Sequence, residues 1–314
     1  MYKEHKIGVV ILAHNEENHI EDTIDTLPDF IDKIYVVDDG STDETAGIVL
    51  KYKDERLKLL QHEINKGPGA ALVTGYKAAL QDEIDVIVKM DGDNQMDPNY
   101  IPSLLDPIIE NRADYTKGNR LLSPEYRGKM TRWRFFGNAI LTFLTKVGSG
   151  YWQIMDPQNG YTAISKGVLK QINVDSIYYY YGYLNNILVK LNVYGYNIGD
   201  IAMPAKYGNE KSSIKYSKYI FKVSGLLLKD FSWRLKMKYV VLSFHPLVLF
   251  YLFGIILTPI GLFSGLFSLY HKYVMGEALF VRGALSLLVF IIGVQFLLFA
   301  MLFDMQADNS YSRS

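Results

Sequence analysis

The chain has 314 residues with 33 Lys and Arg against 33 Asp and Glu, a formal net charge of zero that argues against nucleic acid as its main partner. It has no cysteine, which excludes disulfides, thiol chemistry and a zinc–thiolate site. Apolar residues are spread unevenly: Tyr239 to Tyr270 and Gly283 to Phe303 contain no Lys, Arg, Asp or Glu, and each exceeds the roughly 20 residues needed to cross a bilayer core.

The N-terminal stretch MYKEHKIGVVILAHNEE has too short an apolar run before its charges to act as a signal peptide. Lys6–Ala13 instead predicts a first strand, followed by HNEE and a helix through Leu27. Lys33–Val37 predicts a second strand that runs into DDGSTDE, where Ser41 and Glu44 form a capping box for the next helix. A turn and cap explain Ser41. They leave the doubled Asp38-Asp39 unexplained, and carboxylates at a strand end can accept from a ribose diol or a base N–H. Leu57–Leu60 predicts a short third strand, and Asn65–Gly69 opens a helix through Leu80.

Val86–Asp91 is an apolar, β-branched run, as in a strand buried on both faces, and it ends in Asp91-Gly92-Asp93 with Gln95 just beyond. An ordinary turn accounts for such residues. So does a cation site, because two neighbouring carboxylates repel unless a cation lies between them. The all-oxygen donors Asp91, Asp93 and Gln95 would favour Mg²⁺ or Mn²⁺ over zinc. Pro98 opens a further helix. Alternating strands and helices predict an α/β fold with a mostly parallel, Rossmann-like sheet, but no G-x-G-x-x-G follows the first strand.

Asp114–Gly118 is followed by the basic, aromatic segment Arg127–Asn138, whose cations suit a solvated face or a membrane surface as well as phosphate. Asp156–Tyr161 places an acid before a turn and the short strand YTAI. Tyr178–Asn192 predicts a helix, Tyr196–Ala205 a strand, and KYGNEKSSIKY a polar loop. From Lys218 to Lys236, Lys218, Lys222, Gly225, Lys229, Ser232 and Lys236 fall on one helical face and Ile220, Val223, Leu227, Phe231 and Leu235 on the other. This basic amphipathic helix, with Trp233, suits a membrane interface, and a surface helix on the first domain would show the same pattern. The expected organisation is a domain over 1–216, an amphipathic helix over 217–238, two transmembrane helices within 239–304, and a tail over 305–314. Eight Lys or Arg lie between Lys211 and Lys238, against a single Lys in the loop HKYVMGE, which predicts a cytoplasmic first domain.

LAHNEE, VVDDGSTD, NKGPGAA, KMDGDNQMDP, KGNR and DPQNGY occur in the order found in family 2 glycosyltransferases of GT-A fold. With the C-terminal hairpin, the chain most resembles the dolichyl-phosphate mannose synthase and polyprenyl-phosphate glycosyltransferase branch. The resemblance implies that His14, Glu16, Asp38, Asp39, Lys66 and Asp91 bind a nucleotide sugar, and that Asp91, Asp93 and Gln95 hold the cation. It further implies that Asp156, with Asp93, serves catalysis near the acceptor, and that Lys211, Ser212, Ser213 and Lys215 reach phosphate. An acceptor attacking opposite a metal-bound diphosphate would invert the anomeric centre. Many relatives have acids where this chain has Asn185 and Asn186, and a phosphate acceptor, already ionised at pH 7, needs no base.

The expected activity is therefore transfer of one sugar to a polyprenyl phosphate in an integral membrane protein. Transfer to a hydroxyl of a lipid-linked saccharide, with Asp156 as base, and a silent membrane-anchored binding subunit are the competing readings. Self-association is compatible with all three. The sequence lacks the QxxRW motif of processive synthases, which favours single transfer.

Overall fold

The computed structural model of the protein describes residues 1–122, 132–204, 216–276, 278 and 280–311. The expected phosphate loop Lys211, Ser212, Ser213 and Lys215, and Arg127 to Thr131 of the basic segment, lie outside the described residues. The chain forms two compact units, Met1–Phe231 and Ser232–Ser314.

The first unit holds a seven-stranded sheet of order β3-β2-β1-β4-β6-β5-β7. The strands are β1 (Ile7–Ala13), β2 (Lys33–Asp38), β3 (Leu57–Gln61), β4 (Val86–Asp91), β5 (Tyr115–Asn119), β6 (Thr162–Ser165) and β7 (Ile198–Ala202). The pairs β3–β2, β2–β1, β1–β4 and β5–β7 are parallel, whereas β6 runs antiparallel to both β4 and β5. All seven residues of β1 are buried, which is why it reads as an unbroken apolar run rather than an alternating one.

Successive side chains leave a strand on opposite faces, and two cores result. Val10, Leu12, Tyr35 and Val37 pack with α3 (Pro68–Gln81) and α7 (Tyr183–Val193) on one face. Val9, Ile11, Val36 and Met90 pack with α1 (Ile20–Asp25) and α4 (Ile101–Ile109) on the other. The remaining helices of this unit are α2 (Thr45–Val49), α5 (Arg132–Ser149) and α6 (Lys166–Gln171). The long helix α8 (Tyr216–Lys236) begins here and ends in the second unit. On α8 Val223, Leu227, Phe231 and Leu235 are buried, while Lys222, Lys229 and Lys236 are exposed.

Three local expectations are corrected. Ser41 does not cap α2: its Oγ accepts from the Asn15 amide at 2.9 Å, and the cap residue Glu44 makes no side-chain cap. Asp43 accepts the Thr45 amide instead, at 3.0 Å. The helix expected from Tyr178 starts at Tyr183, because Gly182 adopts φ 107° and breaks the helical path. The strand expected over Tyr196–Ala205 is confined to Ile198–Ala202.

The residues before α7 do separate work. The Tyr179 carbonyl accepts from the Gly69 and Ala70 amides at 2.8 and 3.1 Å and so closes the N-terminus of α3. A Cβ on Gly69 would collide with the Tyr178 carbonyl oxygen and lie 2.8 Å from the Tyr179 carbonyl carbon, both backbone atoms. Gly69→Ala is therefore expected to cost about 1–3 kcal/mol, read as a lower urea midpoint. A shift below about 0.5 kcal/mol, typical of surface changes, would show that the loop relaxes freely.

In the second unit a π-helical turn, Met237–Leu242, precedes α9 (Leu247–Met275) and α10 (Phe280–Tyr311). The first long apolar helix starts at Leu247, after Pro246 as its N-cap residue, and Pro259 lies inside it. Leu247–Met275 and Phe280–Ala307 are long and apolar enough to cross a membrane. Gly254, Gly261 and Gly293 let the two helices approach so closely that a Cβ at any of them would meet backbone atoms of the other helix. Arg234 and Asp304, both fully buried, form two 2.9 Å bonds, and the Tyr239 hydroxyl donates to the same carboxylate at 2.6 Å.

Candidate active site

Parallel register brings three loops together at the carboxyl ends of β2, β1 and β4. Ala13 pairs with Asp38 and Leu12 with Asp91, so the acidic ends of β2 and β4 flank the end of β1. This is the end at which open α/β sheets bind ligands. His14 and Lys66 are exposed at this rim and Glu16 is half-buried. Asn15, at φ 58°, ties the first two loops: its Oδ1 accepts from the Thr42 amide at 2.8 Å. The Glu16 amide donates to Thr45 Oγ1 at 2.8 Å, and the Glu44 amide donates to Glu17 Oε2 at 3.0 Å.

The doubled aspartates do different things. Asp38 accepts from the Ser41 amide at 3.0 Å and from Gln61 Nε2 at 3.4 Å. Asp39, 4% exposed, receives the Lys66 amide at 2.9 Å, the Gly67 amide at 2.8 Å and His62 Nδ1 at 2.7 Å. Asp39, expected as a nucleotide contact, also holds the loop that carries Lys66.

Asp91 and Asp93 straddle Gly92, whose amide donates to the Leu12 carbonyl at 2.9 Å and whose carbonyl accepts from Thr23 Oγ1 at 3.1 Å. Asn94 then turns at φ 53°, and the Gln95 amide donates to Asp93 Oδ1 at 3.0 Å. Asp91 Oδ1 pairs with Lys89 Nζ at 2.5 Å. Gly160 of DPQNGY covers that pair, since a Cβ there would be 2.6 Å from Lys89 Nζ and 3.3 Å from Asp91 Oδ2. Among the described residues no cluster of three or more His, Cys, Asp or Glu is assembled for a metal. As a set of donors, two carboxylates and an amide oxygen would suit a hard cation that keeps open positions for water.

Asp156 sits at φ 49° and accepts a bidentate pair of hydrogen bonds from Arg120, Nε to Oδ2 at 2.7 Å and Nη2 to Oδ1 at 2.8 Å. Burial disfavours its charge, yet the Arg120 guanidinium outweighs that and holds its pKa below the ordinary carboxylate value. A carboxylate so stabilised is a weak base, which counts against the base role weighed for Asp156. Behind it Lys117, 1% exposed, pairs with Asp200 Oδ1 at 2.7 Å; burial nonetheless pushes the Lys117 pKa down.

The Asp156 shift has a defined pH consequence. A lowered folded-state pKa adds stability that is present above the unfolded value, near 3.9, and lost as pH falls through the folded value. Arg120→Met is expected to lower the melting temperature at pH 7 and to converge with wild type once the medium is acid enough to protonate Asp156. A constant gap across that range would show that the pair adds no pH-dependent stability.

His62 and Asp200 carry no signal in the sequence, while Lys89 and Arg120 fall inside the motifs KMDGDNQMDP and KGNR without a role being assigned to them. Lys89 also leaves a local trace, a lysine inside an apolar strand two residues before Asp91 and so on the same face.

The family model described as glycosyl transferase family 2 matches residues 8–172. A UDP-N-acetylglucosamine–dolichyl-phosphate N-acetylglucosaminyltransferase of Methanococcus voltae is 31% identical over 216 residues, covering 64% of this chain and 86% of that protein. A dolichol-phosphate mannosyltransferase of Pyrococcus furiosus is 29% identical over 184 residues, 55% of this chain and 49% of that one. In fold the chain is like glucosyl-3-phosphoglycerate synthase of Mycobacterium tuberculosis, solved with Mn²⁺, UDP and phosphoglyceric acid. That match has a TM-score of 0.58 and 20% identity over 73% of this chain and 79% of the other.

Proposed function

Because the chain belongs to glycosyl transferase family 2 and is a glycosyltransferase, we propose that it moves one sugar from a nucleoside diphosphate to a polyprenyl phosphate. The donor would lie across the ends of β2, β1 and β4, with His14, Glu16, Asp38 and Lys66 toward the nucleotide and Asp39 supporting the Lys66 loop. Asp91, Asp93 and Gln95 would hold Mg²⁺ or Mn²⁺. Such a cation neutralises charge that develops on a departing diphosphate. Attack from the opposite side inverts the anomeric carbon.

The observation that carries the acceptor class is the Arg120 clamp on Asp156. With that carboxylate engaged and its pKa lowered, Asp156 would be a poor base toward a hydroxyl acceptor. A phosphate monoester is its own anion at pH 7 and asks for no base. The relative from Methanococcus voltae, named for transfer to dolichyl phosphate, supports the same reading. The two long apolar helices and the Lys- and Arg-rich stretch before them support a membrane protein with its first unit in the cytoplasm. The loop Lys211, Ser212, Ser213 and Lys215 would complete the phosphate site.

Purified full-length protein incubated with a panel of nucleotide sugars, Mg²⁺ or Mn²⁺ and a polyprenyl phosphate is expected to yield one labelled lipid that mild acid cleaves. A glycosyl phosphate hydrolyses readily. An acid-stable labelled lipid would shift the acceptor to a hydroxyl, and no turnover with any donor would overturn the reading altogether.

A further inference from the structure

β4 passes from an apolar core to a solvent-facing acid within three residues, Lys89, Met90 and Asp91. Alternation puts Lys89 and Asp91 on one face of the strand. The Lys89 side chain is 1% exposed, and its ammonium lies 6.0 Å from the centre of the buried Tyr183 ring. An ammonium so placed requires a counter-charge, and Asp91 Oδ1 at 2.5 Å supplies it. Gly160 packs close to the pair, a Cβ there lying 2.6 Å from Lys89 Nζ, so Lys89 has little room to swing off. Asp91 itself remains 38% exposed.

We infer that Lys89 is a built-in counter-ion: it occupies one Asp91 oxygen, weakens the pull of the Asp91–Asp93 pair on a free divalent cation, and so favours entry of the cation together with the donor diphosphate. The inference rests on the reading of Asp91, Asp93 and Gln95 as cation ligands. Two adjacent carboxylates attract a cation because it relieves their repulsion, and a lysine on one of them has already relieved part of it. The same ammonium attracts an incoming diphosphate. A cation bound to that diphosphate meets less opposition than a bare one. Lys89 acts in this account as a positioning residue.

The test is titration of Mn²⁺ alone, followed by electron paramagnetic resonance of the free ion, on nucleotide-free full-length protein. Lys89→Met keeps the side-chain length among apolar neighbours and is expected to bind Mn²⁺ about tenfold or more tightly than wild type. Lys89→Gln, a second variant that keeps a polar tip, is expected to shift in the same direction. In an Asp91→Asn background the Lys89→Met effect is expected to vanish, as the two side chains act as a pair. Unchanged or weaker Mn²⁺ binding in both Lys89 variants, or equal tightening in the Asp91→Asn background, overturns the inference. If Asp93→Asn abolishes transfer while the Lys89 variants leave Mn²⁺ affinity unaltered, the inference falls and the cation-site reading stands. If Asp93→Asn leaves Mn²⁺ binding intact, the cation-site reading fails and the inference with it.

Discussion

Exchange of Asp93 for Asn is expected to reduce sugar transfer by about 10³-fold while leaving the thermal unfolding of the protein close to wild type. Asp93 Oδ1 accepts from the Gln95 amide at 3.0 Å in a local turn, and an Asn Oδ1 can accept the same bond. The backbone there is held through the bonds of Gly92 to Leu12 and Thr23. On the proposed reading, the substitution removes one of two anionic cation ligands where a diphosphate would leave. Asp91→Asn is a less clean probe, because it also strands the buried Lys89 ammonium. Initial rates with a labelled nucleotide sugar decide the matter: transfer within about tenfold of wild type would remove Asp93 from the reaction.

The strands that carry this site were legible because they are buried on both faces. Ile7–Ala13 announces itself as an unbroken apolar run and Val86–Met90 as one interrupted only by Lys89, and their acidic or polar ends follow from where the runs stop. The sheet order was not legible. β6 enters antiparallel between β4 and β5, a placement fixed by pairing across long stretches of chain such as Lys89 with Thr162. Ser41 shows why a local pattern misleads: it has the spacing of a capping box, but the Asn15 amide, 26 residues away, claims its hydroxyl. The partners of Asp39, Lys89 and Asp156 are likewise set by packing. Of these, only the Lys89–Asp91 pair lies close enough in sequence to be read from strand periodicity.

Asp39 separates a residue that binds from one that builds. Asp39→Ala is expected to lower stability by about 2–4 kcal/mol, seen as a fall in the urea midpoint, because it strips an acceptor from several groups at once. The Lys66 amide loses its acceptor, the Gly67 amide keeps only Asn65 Oδ1 at 3.1 Å, and His62, whose Nε2 lies 2.9 Å from Thr74 Oγ1 on α3, loses the group on its other nitrogen. Gly67 cannot compensate by rotation: it holds φ 96°, and a Cβ there would meet the Tyr179 carbonyl oxygen at 2.7 Å. Asp39→Asn is expected to lie between alanine and wild type, since an amide offers one acceptor oxygen and sets its NH₂ against a donor. Nucleotide affinity is expected to fall with the loss of order in the Asn65–Gly67 loop, and therefore in step with stability across the two variants. If Asp39→Asn instead keeps the wild-type urea midpoint and loses nucleotide binding alone, Asp39 touches the nucleotide directly and the loop is held by other bonds.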